Sequence, residues 1–301
     1  MTRFFQTLFQ STLLKLLIFL GKILPRSVGL GIASLIGTFW GSLKGIPLVK
    51  SIRANQWVLH DQQLTKKELD TLPRVVFRSA AKCFFDYFYY LARPDKLEEI
   101  VQFSPEAEAT IKRIADNKPT VVVCPHLSNF DLMGYALSLH GVRVQVLTYP
   151  KPVATYEMQN KLRGSFGMTI TPMTLTAFRQ ARQRLREGGS ILTGLDRPLE
   201  EGYREKYQPN FFGQPAHLPV TYVRMALEAN APVFVFAAAY LPNGKYYLEG
   251  SPPLWMEHKD DLEEEILSNA HKVLEAAEVI IKKYPHQWAM FYPVWPQFLG
   301  V

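Results

Sequence analysis

Beyond residue 60 the chain alternates between short continuous apolar runs and longer segments in which apolar residues return every three or four positions. The first pattern suits buried strands, the second amphipathic helices. Leu69, Leu72, Val76, Phe77, Ala80, Phe84, Tyr87, Phe88 and Leu91 predict one helix over 65–92, ended by Arg93-Pro94-Asp95. A short polar helix is expected near 105–116. Strands are expected at 120–124, 142–148, 168–171, 190–195, 233–240 and 246–250, and helices at 131–140, 156–163, 175–187, 219–230 and 260–283. This alternation predicts an α/β fold, a mostly buried sheet with helices on both faces. No repeat, low-complexity tract or linker interrupts it, so residues 61–301 are expected to form one domain.

Residues 1–60 follow another pattern. They hold seven basic residues (Arg3, Lys15, Lys22, Arg26, Lys44, Lys50 and Arg53) and no Asp or Glu, so the net charge of +7 is located there; the other 27 basic residues match the 27 acidic ones. Over 12–25, Lys15 and Lys22 fall on one helical face with apolar residues opposite, the pattern of a helix lying in a membrane interface. Ser27 to Leu43 has no charge over 17 residues, the lower edge of the roughly 17–25 that span a bilayer. Its glycines Gly29, Gly31, Gly37 and Gly41 are spaced for close helix packing. The segment 1–60 is therefore expected to be helical and associated with an anionic membrane surface. Nucleic-acid binding is not expected, because the basic excess lies among membrane-like residues.

Candidate chemistry clusters at strand ends. "Pro-His-Leu-Ser-Asn-Phe-Asp" follows the run Val121 to Cys124, where open α/β sheets bind ligands. If Asp131 caps or begins the next helix, its carboxylate can turn back to His126, fix the ring tautomer and leave the other ring nitrogen as a base. The plain alternative is a helix cap beside a loop histidine. Ser128 lacks the Gly-x-Ser-x-Gly elbow of a nucleophile, and Cys83 and Cys124 form no Cys-x-x-Cys pair. Asp196 and Arg197 follow the run 191–195; the arginine is placed either to hold a phosphate or carboxylate or to pair with its neighbour. No Gly-x-Gly-x-x-Gly or Walker pattern is present.

With that box behind a basic apolar N-terminus, the sequence resembles the lysophospholipid acyltransferase superfamily. The resemblance is to its branch of bacterial lipid A late acyltransferases and phosphatidylinositol mannoside acyltransferases. It runs from about Leu13 to Trp295 and rests on the His-x4-Asp box, "Arg-Gly-Ser-Phe-Gly" at 163–167 and "Leu-Asp-Arg" at 195–197. "Phe-Phe-Gly-Gln-Pro-Ala-His-Leu-Pro" at 211–219, "Ala-Pro-Val" at 231–233 and "Tyr-Pro-His-Gln-Trp" at 284–288 also match.

The resemblance implies a glycerolipid acyltransferase-like fold at the cytoplasmic face of a bacterial inner membrane. It also implies transfer of a fatty acyl group from coenzyme A or an acyl carrier protein to a lipid hydroxyl, without metal or other cofactor. His126 matches the general base and Asp131 its orienting carboxylate; Arg163, Asp196 and Arg197 match positions near the donor or head group. A hydrolase or thioesterase on the same residues, or a non-catalytic membrane-binding protein, are the rivals. The chain has "Trp-Ala-Met-Phe-Tyr-Pro-Val-Trp" at 288–295 where lipid A enzymes carry a basic aromatic cluster, which turns the expectation toward another phospholipid or glycolipid. Gln214 stands where the mannoside branch has a glutamate.

Overall fold

The computed structural model describes residues 16, 18–149, 154–199 and 206–301. A helix, α1 (Arg26–Gly41), is followed by α2 (Pro47–Leu59) and α3 (Lys66–Leu91). Thr65 and Glu68 close a capping box at the start of α3, each bonding the other's backbone N–H. After β1 (Val101–Phe103) and α4 (Pro105–Ala115), strand and helix alternate: β2 (Thr120–Cys124), α5 (Phe130–Leu139), β3 (Gln145–Thr148), α6 (Ala154–Ser165), β4 (Thr169–Pro172), α7 (Leu175–Arg186) and β5 (Ser190–Gly194). A hairpin of β6 (Asn210–Phe211) and β7 (Gln214–Pro215) leads to α8 (Thr221–Ala229), β8 (Val233–Tyr240), β9 (Tyr246–Gly250) and α9 (Leu262–Lys283).

The main sheet has the order β1-β9-β8-β2-β5-β3-β4. All neighbours are parallel except β8 and β9, which pair antiparallel. The period-two side-chain direction of a strand builds a core on each face. Val121, Val123, Val233 and Val235 meet α7, α8 and α9 on one side. Val122, Phe234 and Phe236 meet α3, α4 and α5 on the other. The mixed α/β architecture with a central, mostly parallel sheet is the one expected from the alternation. The helix α2 falls within the segment 1–60 expected to be helical; the expectation did not include β1 or the hairpin, whose short stretches carry weak periodicity.

The N-terminal helix packs by its smallest residues. Gly29, Ala33, Gly37 and Gly41, four apart, are its buried positions. A Cβ at Gly37 would stand 2.5 Å from the Phe77 carbonyl oxygen, and one at Gly41 2.5 Å from Arg74 Cα, so α1 lies backbone against backbone on α3. Gly31 faces open space and takes no part. The large apolar residues point the other way: Val28, Ile32, Leu35, Ile36, Phe39 and Trp40 are all 45% exposed or more. Among the described residues no helix is long and apolar enough to cross a membrane. The part of the 12–25 helix before residue 16 lies outside the described residues.

An ion pair with a buried carboxylate fastens this segment to the domain. Arg26 at the start of α1 grips the fully buried Asp86 of α3 with two bonds, Nε to Oδ1 at 2.9 Å and Nη2 to Oδ2 at 2.8 Å. The Tyr246 hydroxyl of β9 donates to the same Oδ2 at 2.8 Å.

Candidate active site

The site grows out of strand register. β2 and β5 run side by side with Cys124 opposite Gly194. Two positions past each strand stand His126 and Asp196, so the parallel ladder delivers the two residues to each other across 70 positions of sequence. His126 Nδ1 lies 2.7 Å from Asp196 Oδ1, and the His126 backbone N–H donates to Oδ2 at 2.8 Å. The Trp288 indole N–H donates to that same Oδ2 at 2.8 Å. Asp196 is completely buried, and an isolated buried carboxylate would be costly, so these three donors are what hold it there. With Nδ1 engaged, Nε2 is left without a partner among the described residues. The ring sits edge-on to Phe130 at 5.1 Å between centroids and over Gly194, where a Cβ would stand 3.4 Å from its Cε1.

Asp131 is placed differently from the expectation. It is the second residue of α5, and the cap is Asn129, whose Oδ1 accepts the Leu132 N–H at 3.3 Å. The Asp131 carboxylate turns to Arg163 of α6, accepting from Nε at 2.7 Å. The carboxylate on the histidine ring is therefore Asp196, and the pairing of Asp131 with His126 drawn from their spacing is corrected. The reason is the start of α5, which puts Asp131 over α6, whereas Asp196 arrives on the neighbouring strand. Asp131 and Arg163 still line the same cavity as His126.

Asp196 and Arg197 do not pair with each other. The Arg197 guanidinium lies between the rings of Tyr149 and Tyr292, 3.9 and 4.1 Å from their centroids. It donates no hydrogen bond among the described residues, so its edge is presented to the cavity it lines. Among the described residues no candidate nucleophile stands at the ring. Ser128 is buried in a left-handed conformation, φ +50°, with its hydroxyl 3.5 Å from Cys83 Sγ. Withdrawal from water, and then the Asp196 charge, push the Cys124 thiol up to about 12, so it stays protonated at neutral pH. Among the described residues no three His, Cys, Asp or Glu side chains gather as a metal site.

The motifs near the end of the chain form the brace. Leu127 and Trp288 make an antiparallel bridge; the Ala289 N–H donates to His126 O at 3.0 Å and the Ser128 N–H to Gln287 O at 2.9 Å. Gln287 ties this segment to β8 by two bonds with the Tyr240 backbone, at 2.7 and 2.8 Å. Phe212 of the hairpin region packs on Trp288, 5.8 Å between centroids, and Phe211 stacks on Trp295 at 5.8 Å.

The cavity itself is chiefly apolar. It is lined by His126, by Met133 and Leu137 of α5, by Val146 of β3 and by Phe236, Ala238 and Leu248. With Cys124 of β2 and Leu192 of β5 the lining draws on five adjacent strands, a width of roughly 19 Å at about 4.8 Å per strand.

A family model described as bacterial lipid A biosynthesis acyltransferase matches residues 7–297. Over 179 residues, 58% of this chain, the sequence is 24% identical to the phosphatidylinositol mannoside acyltransferases of Mycolicibacterium smegmatis and Mycobacterium tuberculosis. The chain spans little more than half the length of these curated relatives, 56% and 54%. A solved structure, the 1-acyl-sn-glycerophosphate (LPA) acyltransferase of Thermotoga maritima, superposes with a TM-score of 0.37 at 14% identity. It covers 86% of this chain and 98% of that one. That level is too low to carry residue roles across.

Proposed function

Because the chain belongs to the bacterial lipid A biosynthesis acyltransferase family, we propose that it transfers a fatty acyl group from an acyl thioester to a hydroxyl of a membrane lipid. His126 is the general base. The observation that carries this reading is the buried Asp196 carboxylate on His126 Nδ1, with Nε2 facing an apolar cavity. The carboxylate holds the tautomer with hydrogen on Nδ1. Nε2 takes the proton of the acceptor hydroxyl as its oxygen attacks the thioester carbonyl. When the tetrahedral adduct collapses, the C–S bond breaks and the imidazolium returns the proton to the leaving thiolate. A thioester is activated already, so direct attack needs no acyl-enzyme, in keeping with the protonated Cys124 and the averted Ser128.

The apolar cavity takes the acyl tail, and the stacked Arg197 holds a phosphate of the head group or of the donor. The relatives' names indicate phosphatidylinositol mannosides as their acceptors, and a glycosylated phospholipid is the proposed class here. The test is to incubate the purified chain with acyl thioester, with and without lipid acceptor, and follow products by mass spectrometry. Acylated lipid is expected only with acceptor. Free fatty acid at the same rate without acceptor would make the protein a hydrolase or thioesterase; no turnover in either arm would leave a binding protein.

We place the working location at the cytoplasmic face of a bacterial inner membrane, and α1 supports this reading. Its outward stripe of Leu35, Ile36, Phe39 and Trp40, in a segment with seven cations and no acid, suits the cytoplasmic face of an anionic inner membrane. Replacing Leu35 and Phe39 together by glutamate is expected to release the protein from phosphatidylglycerol vesicles in a sedimentation assay while its circular dichroism stays unchanged. A double variant that still pellets with lipid would remove α1 from the interface.

A further inference from the structure

We infer that Trp288 is a positioning residue of the His126–Asp196 pair, setting the orientation of the carboxylate that holds the base. The inference rests on the base role proposed above. One short backbone segment grips both partners. Through its main chain, residues 287–289 fix the His126 loop, by the Ala289 N–H on His126 O at 3.0 Å and Gln287 O on the Ser128 N–H at 2.9 Å. Through its side chain it fixes the carboxylate, by the indole N–H on Asp196 Oδ2 at 2.8 Å. Trp288 is itself fully buried against Phe211, Phe212 and Trp295, so the donor is aimed by packing and not by a flexible arm.

The division of labour on Asp196 gives the indole its role. Oδ2 accepts two N–H groups, from the His126 backbone and from Trp288, while Oδ1 is left for the imidazole. Donors on both oxygens, two at Oδ2 and the imidazole at Oδ1, fix the plane of the carboxylate, and the indole is the one of the three that does not belong to His126 itself. The groups facing the pair are Cys124 of β2, Asp131 and Arg163 bonded to one another, and Arg197 between Tyr149 and Tyr292. Trp288 is the indole that reaches Asp196. Removing its N–H leaves more negative charge on Asp196 for the imidazolium, so the base gains its proton at higher pH.

The experiment uses the full chain with acyl thioester and lipid acceptor. Position 288 carries Trp, Phe, or 3-benzothienylalanine, which replaces the indole N–H by sulfur at the same shape. The expected result for the sulfur isostere is a kcat lower by about tenfold or more, as for a lost hydrogen bond to a charged group. KM should stay within about twofold and the acid limb of kcat/KM should move to higher pH. An isostere with wild-type kcat and acid limb overturns the proposal. His126→Ala is assayed beside it: if that variant is active, the base reading falls and this inference with it; if it is inactive beside a wild-type-like isostere, Trp288 alone loses its role. Should both 288 variants lose their thermal midpoint, the wild-type indole N–H resonance decides. It is expected to shift with the midpoint of the acid limb, and a resonance that ignores that titration overturns the proposal.

Discussion

Asp196→Asn is expected to lower kcat by roughly a thousandfold or more, approaching the loss in His126→Ala, while Asp131→Asn keeps activity within about tenfold. The reason lies in the donors around Asp196. Its Oδ2 position faces the His126 backbone N–H and the Trp288 indole N–H, so an asparagine must present its carbonyl oxygen there. Its NH2 group is then forced onto His126 Nδ1, which must accept, and the ring hydrogen moves to Nε2. A histidine protonated at Nε2 cannot take a proton from the acceptor, so the substitution removes the base while leaving shape and volume almost unchanged. Asp131→Asn leaves an acceptor for Arg163 and does not touch the ring. Turnover numbers for the three purified variants check this. Near-normal kcat in Asp196→Asn with loss in Asp131→Asn would return the orienting role to Asp131.

The second large effect is on stability. Arg26→Met is expected to destabilise the fold by about 3–5 kcal/mol, the cost of leaving one partner of a buried pair alone. Asp86 is fully buried and receives three hydrogen bonds, two of them from Arg26. Without the guanidinium, only the Tyr246 hydroxyl remains on a carboxylate that is itself fully buried. Arg26 also donates to Gly244 O at 3.2 Å and lies 5.4 Å from the Tyr90 ring centroid, so its loss loosens α1 from both α3 and the β8–β9 turn. Urea unfolding checks the figure through a lower midpoint at unchanged slope. A loss below about 1 kcal/mol would mean that the pair adds little beyond the glycine packing of α1 on α3.

Much of the architecture is local and so was legible. The helix over 66–91 is written in three- and four-residue steps and in the Thr65–Glu68 box; strands such as 120–124 and 233–240 are written in uninterrupted apolar runs. His126 and Asp196 are both legible as residues just past a strand. Their partnership is not legible, since nothing in a spacing of 70 residues marks it, whereas the five-residue interval to Asp131 suggests a local pairing that the start of α5 turns aside. The equal length of the two strands, each followed after one further residue by a titratable side chain, is visible only once the structure ends β5 at Gly194.

Trp288 shows the same limit from the other side. It lay in a recognised motif, "Tyr-Pro-His-Gln-Trp", without any chemistry attached, because a tryptophan has none until a carboxylate is brought to its N–H. The glycines of α1 were read correctly as a packing face at three of four positions, yet only the structure showed that the large apolar side chains are turned outward by that packing.

By itself, then, the sequence determined the elements, their α/β alternation, the family and the acid-free N-terminus, because each is carried by neighbouring residues or by composition. The tertiary structure alone decided which carboxylate serves His126, what Asp131 and Arg163 do for each other, and which face of α1 meets the surroundings. Those depend on strand order, register and helix approach, which bring together groups that have no proximity along the chain.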